Sequence, residues 1–202
     1  MGRCYIVGAG DNSGTIFVKK ENDFVIAADG GLKILEKLGI EPDAIIGDFD
    51  SLGFIPEGKN VIRHKVEKDD TDMMLSVEYA YDLGYNDIVI FGGTGGRVDH
   101  TFANVSTMLW ASRHGIRISM VDETNIYRVI TNESITLDAK RDGDLSVFAF
   151  DKAEDVCITG AKYTASHMVL TNDNPTAVSN SFIGKEVTIS VGIGSLLIIT
   201  KK

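Results

Sequence analysis

The first 120 or so residues alternate short aliphatic runs with helix-like stretches, and this alternation restricts the possible folds more than any other feature. All but one of the aliphatic runs end in Gly or Asp, and a helical apolar period appears between several of them. Runs that are apolar throughout favour a parallel sheet with both faces covered. The predicted strands are 4–10, 23–31, 43–48, 60–65, 86–93 and 116–122, and the predicted helices are 31–39, 70–84 and 100–115.

The pattern changes after about residue 125, where short β-branched runs are separated by Gly, Asn and Asp and no helical period remains. Such a segment is typical of a small antiparallel β-sandwich or barrel. We therefore predict an α/β fold followed by an all-β fold. Residues 1–124 are expected to form a Rossmann-like parallel sheet with helices on both faces, and residues 125–202 an antiparallel β-sandwich or barrel.

Charge and cysteine usage restrict the possible partners. The chain has 20 Lys and Arg against 29 Asp and Glu, a net charge of −9, whereas a duplex nucleic-acid binder needs a surplus of cations. No run reaches the roughly 18 apolar residues that a membrane helix needs, so we expect a cytoplasmic protein with no membrane partner. Cys4 and Cys157 lie far apart in apolar runs, which favours buried reduced thiols.

Acidic residues gather where predicted strands end. Asp48 and Asp50 follow the third strand, and Asp69 and Asp72 lie near the start of the second helix. Ligands of an open parallel sheet bind beyond the carboxyl ends of its strands. Two carboxylates about 4 Å apart repel by roughly 4 kcal/mol at an effective dielectric constant near 20, so converging carboxylates must protonate, separate or hold a cation. Oxygen ligands suit Mg²⁺, although each acid alone could simply form a turn or cap a helix.

A glycine-rich segment, "FGGTGGR", leads from a strand into the third predicted helix. Its backbone amides and the helix N-terminus can hold a phosphate, and Arg97 could bind phosphate oxygens bidentately. If Asp99 caps the helix, Arg97 remains in the loop, with Thr101 and Asn104 in the first turns. The chain has no GxxxxGK[ST] P-loop, and "GAGDNSG" (8–14) is only a weak match to a dinucleotide-binding fingerprint.

Taken together, these segments resemble the thiamine pyrophosphokinase (thiamine diphosphokinase) family, in its bacterial type. The resemblance spans nearly the full length of the chain. It is carried by "AADGG" (27–31), "PDAIIGDFDS" (42–51), "KDDTD" (68–72), "GGTGGRVDHTFANV" (92–105) and "SNSFIG" (179–184).

The resemblance implies a Mg²⁺-dependent enzyme that transfers the β- and γ-phosphates of ATP as one unit to the hydroxyethyl oxygen of thiamine, giving thiamine diphosphate and AMP. It also implies a homodimer whose active site lies where the nucleotide domain of one chain meets the β-sandwich of the other. The β-sandwich is then expected to bind thiamine and to form the dimer.

The same resemblance implies roles for individual residues. The implied metal ligands are Asp48, Asp50, Asp69 and Asp72, and Arg97 and Asp99 complete the catalytic set. The implied nucleotide-binding residues are Asp29, Gly30, Gly31, Asp48, Arg97, Thr101 and Asn104. The implied thiamine-binding residues are Asp72, Asp99, Ser179 and Asn180. Animal and yeast members have a tryptophan near the C-terminus and a glutamine after the GGRxD motif, where this chain has Leu196-Leu197 and His100.

Two other classes of protein fit part of the pattern. A Mg²⁺-dependent phosphohydrolase or glycosyltransferase also places Asp-x-Asp near strand ends. A haloacid-dehalogenase-type phosphatase, however, needs Thr or Val two residues after the second Asp, where this chain has Leu52-Gly53. A non-catalytic nucleotide- or thiamine-binding module would bind ligand without forming AMP.

Overall fold

The computed structural model describes residues 2–47, 60–63 and 70–202. Three predicted metal ligands, Asp48, Asp50 and Asp69, lie outside the described residues. The chain divides into two compact units, residues 1–124 and 125–202. None of the helices within the described ranges is long and apolar enough to cross a membrane.

The described residues of the first unit form six strands and three helices. The strands are β1 (Cys4–Val7), β2 (Phe24–Ala28), β3 (Ala44–Gly47), β4 (Val61–Arg63), β5 (Asp87–Phe91) and β6 (Arg117–Val121), and the helices are α1 (Gly31–Leu38), α2 (Asp72–Asp82) and α3 (Val98–Arg113). Neighbouring strands pair in parallel in the order β6-β5-β1-β2-β3-β4. The predicted parallel sheet is confirmed, and each predicted strand and helix of this unit overlaps an observed one.

Strands β1 and β2 are buried on both faces because they are apolar at every position. Tyr5 and Val7 point to one face of β1, Cys4 and Ile6 to the other, and all four are at most 8% exposed. Leu35 of α1 packs against the first of these faces. Fully burying an aliphatic side chain contributes about 1.5–3 kcal/mol, so continuous apolar strands favour this arrangement over a half-exposed sheet.

Strand β1 lies inside the sheet, between β2 and β5, and the chain adds strands first on one side of it and then on the other. From β1 the chain moves outward through β2, β3 and β4, and it then returns to the opposite side of β1 to form β5 and β6. The loops that follow β1 and β5 therefore lie side by side at the carboxyl edge of the sheet, next to the crevice that such a reversal of strand order produces. Ligands of open α/β sheets bind in such a crevice.

Helix α3 does not bury the face that carries its large apolar side chains Val98 and Phe102. Phe102 is 71% exposed and Val98 is 70% exposed. The buried face is made of small or polar residues with one methionine: Asn104, Thr107, Met108, Ala111 and Ser112. Thr107 can be buried because its hydroxyl donates a hydrogen bond to the carbonyl of Ala103, four residues earlier.

The second unit is composed of β-strands only. They are β7 (Asn125–Thr131), β8 (Ser134–Leu137), β9 (Asp144–Ala149), β10 (Lys152–Thr159), β11 (Ala165–Thr171), β12 (Asn180–Ser181), β13 (Val187–Ser190) and β14 (Ser195–Lys201). They pair antiparallel in two groups, β12-β9-β14-β7 and β11-β10-β13-β8. Both groups contribute to one buried cluster, with Val147 and Leu196 from the first and Val156 and Ile189 from the second.

The two cysteines are both free thiols. Cys4 is completely buried in β1, as predicted. Cys157 is only half-buried, so the prediction of a buried thiol at this position was wrong. The reason is its place on β10, where the alternate residues Val156 and Ile158 face the core and Cys157 faces outward.

Candidate active site

A cavity of about 560 Å³ lies at the carboxyl ends of β1, β2 and β5. Its size is within the usual range for small-molecule sites, and its position is the crevice where the strand order reverses. The described lining comes from the loops after the three strands and from the first turns of α2 and α3: Gly8, Ala9, Gly10, Ala28, Asp29, Asp70, Thr71, Asp72, Met73, Leu75, Gly92, Gly93, Thr94, Gly95, Gly96, Arg97, His100 and Asn104.

The glycine-rich loop after β5 is held by backbone contacts with the loop after β1. The amide of Gly10 donates to the carbonyl of Gly92 at 2.9 Å, and the amide of Asp11 donates to the carbonyl of Thr94 at 2.6 Å. Gly92 has φ 64°, and a Cβ there would lie 2.4 Å from the carbonyl oxygen of Gly8. Only glycine allows this backbone conformation and this approach together.

A buried polar contact fixes the middle of the same loop. The hydroxyl of Thr94 donates to the carboxylate of Asp122 at 3.3 Å, and both residues are 8% exposed. The side-chain amide of Asn104 donates to the carbonyl of Gly93 at 2.7 Å. Asn104, predicted as a nucleotide-binding residue, therefore positions the glycine-rich loop by holding the backbone carbonyl of Gly93. Thr101 donates to the carbonyl of Arg97 at 3.4 Å and is not part of the cavity lining.

The loop after β1 lines the cavity with backbone, although its sequence is a weak dinucleotide fingerprint. Asn12 organises it, because its side-chain amide donates to the carbonyls of Gly8 and Gly10 at 3.0 and 2.8 Å. Thr15 donates to the carbonyl oxygen of the same side chain at 2.9 Å. Neither Asn12 nor Thr15 was predicted from the sequence to belong to the site. The available signal was an Asn within a Gly-rich strand end, which is typical of an Asx turn.

Asp29 is the acid that follows β2, and it lines the cavity with a left-handed φ of 46°. Its amide donates to the carbonyl of Ile46, which ties the end of β2 to β3. Gly30 and Gly31 do not line the cavity. Gly31 begins α1 so close to β1 that a Cβ would lie 1.8 Å from the carbonyl oxygen of Val7. The two glycines therefore set where α1 starts.

The start of α2 brings two further acids to the cavity. Thr71 caps the helix by accepting a hydrogen bond from the amide of Met74 at 3.2 Å, so Asp70 is not needed as the cap. Asp70 and Asp72 both line the cavity. The described lining residues include three carboxylates, those of Asp29, Asp70 and Asp72, and a single guanidinium, that of Arg97. This excess of negative charge favours a bound cation.

Arg97 and Asp99 form an ion pair at the start of α3. The Nε and terminal nitrogens of Arg97 donate to the two carboxylate oxygens of Asp99 at 3.2 and 2.5 Å. These hydrogen bonds from Arg97 lower the pKa of Asp99, and the same pair raises the pKa of Arg97. The helix begins at Val98 with Arg97 as the N-cap, so Asp99 is not the helix cap, which was one of the possible interpretations of its position. Arg97 lines the cavity and Asp99 does not.

Ser179 and Asn180, the predicted thiamine-side pair, belong to the second unit. Asn180 is 4% exposed, and its amide group pairs with the backbone of Tyr163 through hydrogen bonds of 2.9 and 2.7 Å. Ser179 has φ 60°, and its amide donates to the hydroxyl of Ser146 at 3.2 Å. Asn180 thus holds the 163 segment in place and has little capacity left for direct contact with a ligand.

These features define an α/β protein with a polar ligand site at the carboxyl ends of its parallel strands. A family model described as "Thiamin pyrophosphokinase, catalytic domain" matches residues 17–120, just over half of the chain. The chain belongs to the thiamin pyrophosphokinase family, and it is an enzyme.

Individual relatives are similar over nearly the whole chain. The thiamine pyrophosphokinase of Bacillus subtilis (strain 168) is 27% identical over 190 residues, covering 89% of this chain and 87% of the relative. A crystal structure of thiamine pyrophosphokinase from Bacillus subtilis superposes with a TM-score of 0.88 at 25% identity, covering 100% of this chain and 99% of the other. One from Geobacillus thermodenitrificans gives 0.86 at 26% identity, covering 100% and 98%.

Proposed function

We propose that this protein transfers a diphosphoryl group from ATP to the hydroxyethyl oxygen of thiamine, with Mg²⁺, giving thiamine diphosphate and AMP. The observation that carries the proposal is one cavity that combines acids, an arginine and a glycine-rich loop in a chain of the thiamin pyrophosphokinase family. A polyanionic substrate needs positive charge and positioning, and the cavity offers residues for both.

The nucleotide is proposed to bind by its phosphates at the loop 92–97 and the start of α3. Backbone amides in left-handed glycine turns and at a helix N-terminus point toward bound anions. Arg97 adds a planar guanidinium that can hold two phosphate oxygens, and Asp29 is proposed to lie beside the nucleotide. Gly30, Gly31 and Thr101 are proposed to support this region from outside the cavity, since none of them lines it. Asn104 lines the cavity and supports the loop by donating a hydrogen bond to the carbonyl of Gly93.

The proposed Mg²⁺ ligands are Asp48, Asp50, Asp69 and Asp72. Asp72 is the member of this set within the described residues, and its neighbours in the cavity fit a hard cation because Asp29 and Asp70 also supply carboxylate oxygens. The metal, when bound, neutralises charge on the phosphates and orients them. The chain itself supplies the carboxylates, and their mutual repulsion makes the cavity selective for a cation.

In the proposed reaction the thiamine hydroxyl oxygen forms a bond with the β-phosphorus while the bond from that phosphorus to the α-phosphate bridging oxygen breaks. AMP is the leaving group, and the hydroxyl proton passes to a carboxylate. Asp72 and Asp99 are the two candidate acceptors of this proton, and Asp72 is the better one. The pKa of Asp99 is lowered by its hydrogen bonds from Arg97, which makes Asp99 a weaker base.

For the whole chain we propose a Rossmann-like nucleotide domain in residues 1–124 and a thiamine-binding and dimerising β-sandwich in residues 125–202. The active site is proposed to form in a cytoplasmic homodimer, between the first unit of one chain and the second unit of its partner. Leu196 is completely buried and Leu197 half-buried, so Leu197 is the residue of this pair with surface left for thiamine.

Product identification tests the proposal. The purified protein is incubated with ATP, Mg²⁺ and thiamine, and the products are separated and identified by mass. Equal amounts of AMP and thiamine diphosphate support the proposal. ADP with thiamine monophosphate would indicate an ordinary kinase, inorganic phosphate without an acceptor would indicate a hydrolase, and bound ligand without any product would indicate a binding module.

A further inference from the structure

Three different metal-binding side chains meet on the outer face of the second unit. Asp155 and Cys157 are two residues apart on β10, and His167 lies on the neighbouring antiparallel strand β11. A carboxylate oxygen, the thiol sulfur and an imidazole nitrogen all lie within 4.8 Å of one another. This combination of donors occurs nowhere in the catalytic cavity, whose described lining has no thiol.

Direct contacts already join the three residues. The Nδ1 atom of His167 lies 2.5 Å from a carboxylate oxygen of Asp155. The backbone amide of His167 donates to the sulfur of Cys157 at 3.4 Å. The His167 and Asp155 side chains are 79% and 59% exposed, so solvent and ions can reach them.

The backbone is distorted at two of the three positions. Asp155 has φ 56° and His167 has φ 52°, which is the left-handed region that non-glycine residues rarely occupy. The pairing of β10 with β11 also shifts register between Ala153 and Val156 and again before Ile158. Bulges of this kind redirect side chains and are frequent next to functional sites. The exposed contact between His167 and Asp155 contributes too little to folding to account for both distortions.

We propose that Asp155, Cys157 and His167 form a binding site for a divalent transition metal of the Zn²⁺ type. Thiolate and imidazole donors select such metals, whereas Mg²⁺ requires oxygen ligands. The donor atoms lie within 4.8 Å of one another, and the exposed side chains of His167 and Asp155, now 2.5 Å apart, must rotate to give zinc–sulfur and zinc–nitrogen bonds of about 2.3 and 2.0 Å. Binding displaces the proton of the Cys157 thiol, and the three protein ligands leave one tetrahedral position for water or a further ligand.

Cobalt substitution tests the site in the full-length protein. The reduced, metal-free protein is titrated with Co²⁺, and the near-ultraviolet sulfur-to-cobalt charge-transfer band is recorded. We expect the band to saturate at about one equivalent and to disappear when Zn²⁺ displaces the cobalt. Cobalt bound by carboxylates in the catalytic cavity gives no such band. Absence of the band in the unmodified protein would overturn the proposal.

Matched variants assign the ligands. Cys157→Ser should abolish the band, while Cys4→Ala, at the buried cysteine of the first unit, should keep it. His167→Gln and Asp155→Asn should each weaken cobalt binding at least about tenfold, and His114→Gln should leave it unchanged. Circular dichroism shows whether each variant is folded. A band that survives Cys157→Ser, or unchanged affinity in folded His167→Gln, would contradict the three-ligand site.

Discussion

At the scale of single residues, the site separates groups that face the cavity from groups that hold them. Asp72 and Arg97 line the cavity, whereas Asp99 lies outside its lining and pairs with Arg97. Asn104 does both, since it lines the cavity and holds the carbonyl of Gly93. The sequence predicts the first pair because acids and a guanidinium at strand and helix ends fit a polyphosphate site. It does not predict that Arg97 and Asp99 pair with each other, because this depends on α3 beginning at Val98.

Replacing Asp72 with Asn should reduce kcat by at least about 10²-fold, because the variant loses a carboxylate proposed to hold the metal and accept the proton. The fold should be retained, since Thr71 and not Asp72 caps the helix. Steady-state kinetics and circular dichroism are the measurements. Asp82→Asn, an exposed acid at the other end of α2, is the matched control and should have normal turnover. Normal turnover in Asp72→Asn would remove this residue from the site.

The Arg97–Asp99 pair can be tested with a double-mutant cycle. Arg97→Ala should reduce kcat/KM for ATP more than Asp99→Asn does, because Arg97 is the proposed phosphate ligand and Asp99 only positions it. Adding Asp99→Asn to Arg97→Ala should then cause little further loss, since residues that act through one another have non-additive effects. Fully additive losses would show that Asp99 acts on the substrate independently of Arg97.

At the level of strands and helices, the local sequence pattern predicts where each element lies. Long-range contacts decide which loops meet and which face of a helix is buried. The continuous apolar runs identify β1, β2 and β5 because both faces of the sheet are covered. The loops after β1 and β5 meet where Gly8 and Asn12 of the first loop approach Gly92 of the second, which is far from both in the sequence. The buried face of α3 is also unpredictable from apolar spacing, because it uses small and hydrogen-bonded polar residues.

Gly92→Ala should lower the free energy of unfolding by at least about 2 kcal/mol, because alanine would combine a left-handed backbone with a clash against the carbonyl of Gly8. Urea unfolding measures this effect. Gly96→Ala is the control for backbone conformation alone: it has φ 76° but nothing within 4 Å of its would-be Cβ. Gly96→Ala should lower the free energy of unfolding by about 1 kcal/mol. Equal costs for the two variants would show that the approach of Gly8 does not matter.

At the level of the whole molecule, the sequence predicts that the α/β unit precedes the all-β unit. The reason is that its pattern changes from alternating strands and helices to short strands alone. The division of the chain into two compact units lies at residue 124. How two copies combine is a separate matter, since pairing depends on surface shape. The resemblance to a family of homodimers is what suggests an active site shared between chains.

Mixing two inactive variants tests the shared site. Asp72→Asn inactivates the first unit, and Asn180→Ala should impair the second by releasing the backbone of Tyr163. If each site combines units from two chains, randomly mixed dimers should recover about a quarter of the normal sites, because half of the dimers are mixed and each has one intact site. Activity should be assayed after the variants are refolded together. No recovery, with mixed dimers detected by mass, would place each site within one chain.

In the proposed reaction the enzyme transfers the β- and γ-phosphates of ATP to thiamine as one unit with the help of Mg²⁺. The most direct measurement follows a radioactive label on the β-phosphate of ATP in the presence of thiamine. We predict that the label moves to thiamine diphosphate in step with AMP formation, and that chelating Mg²⁺ with EDTA stops the transfer. A label that remains in ADP, or transfer that continues without divalent metal, would contradict the account.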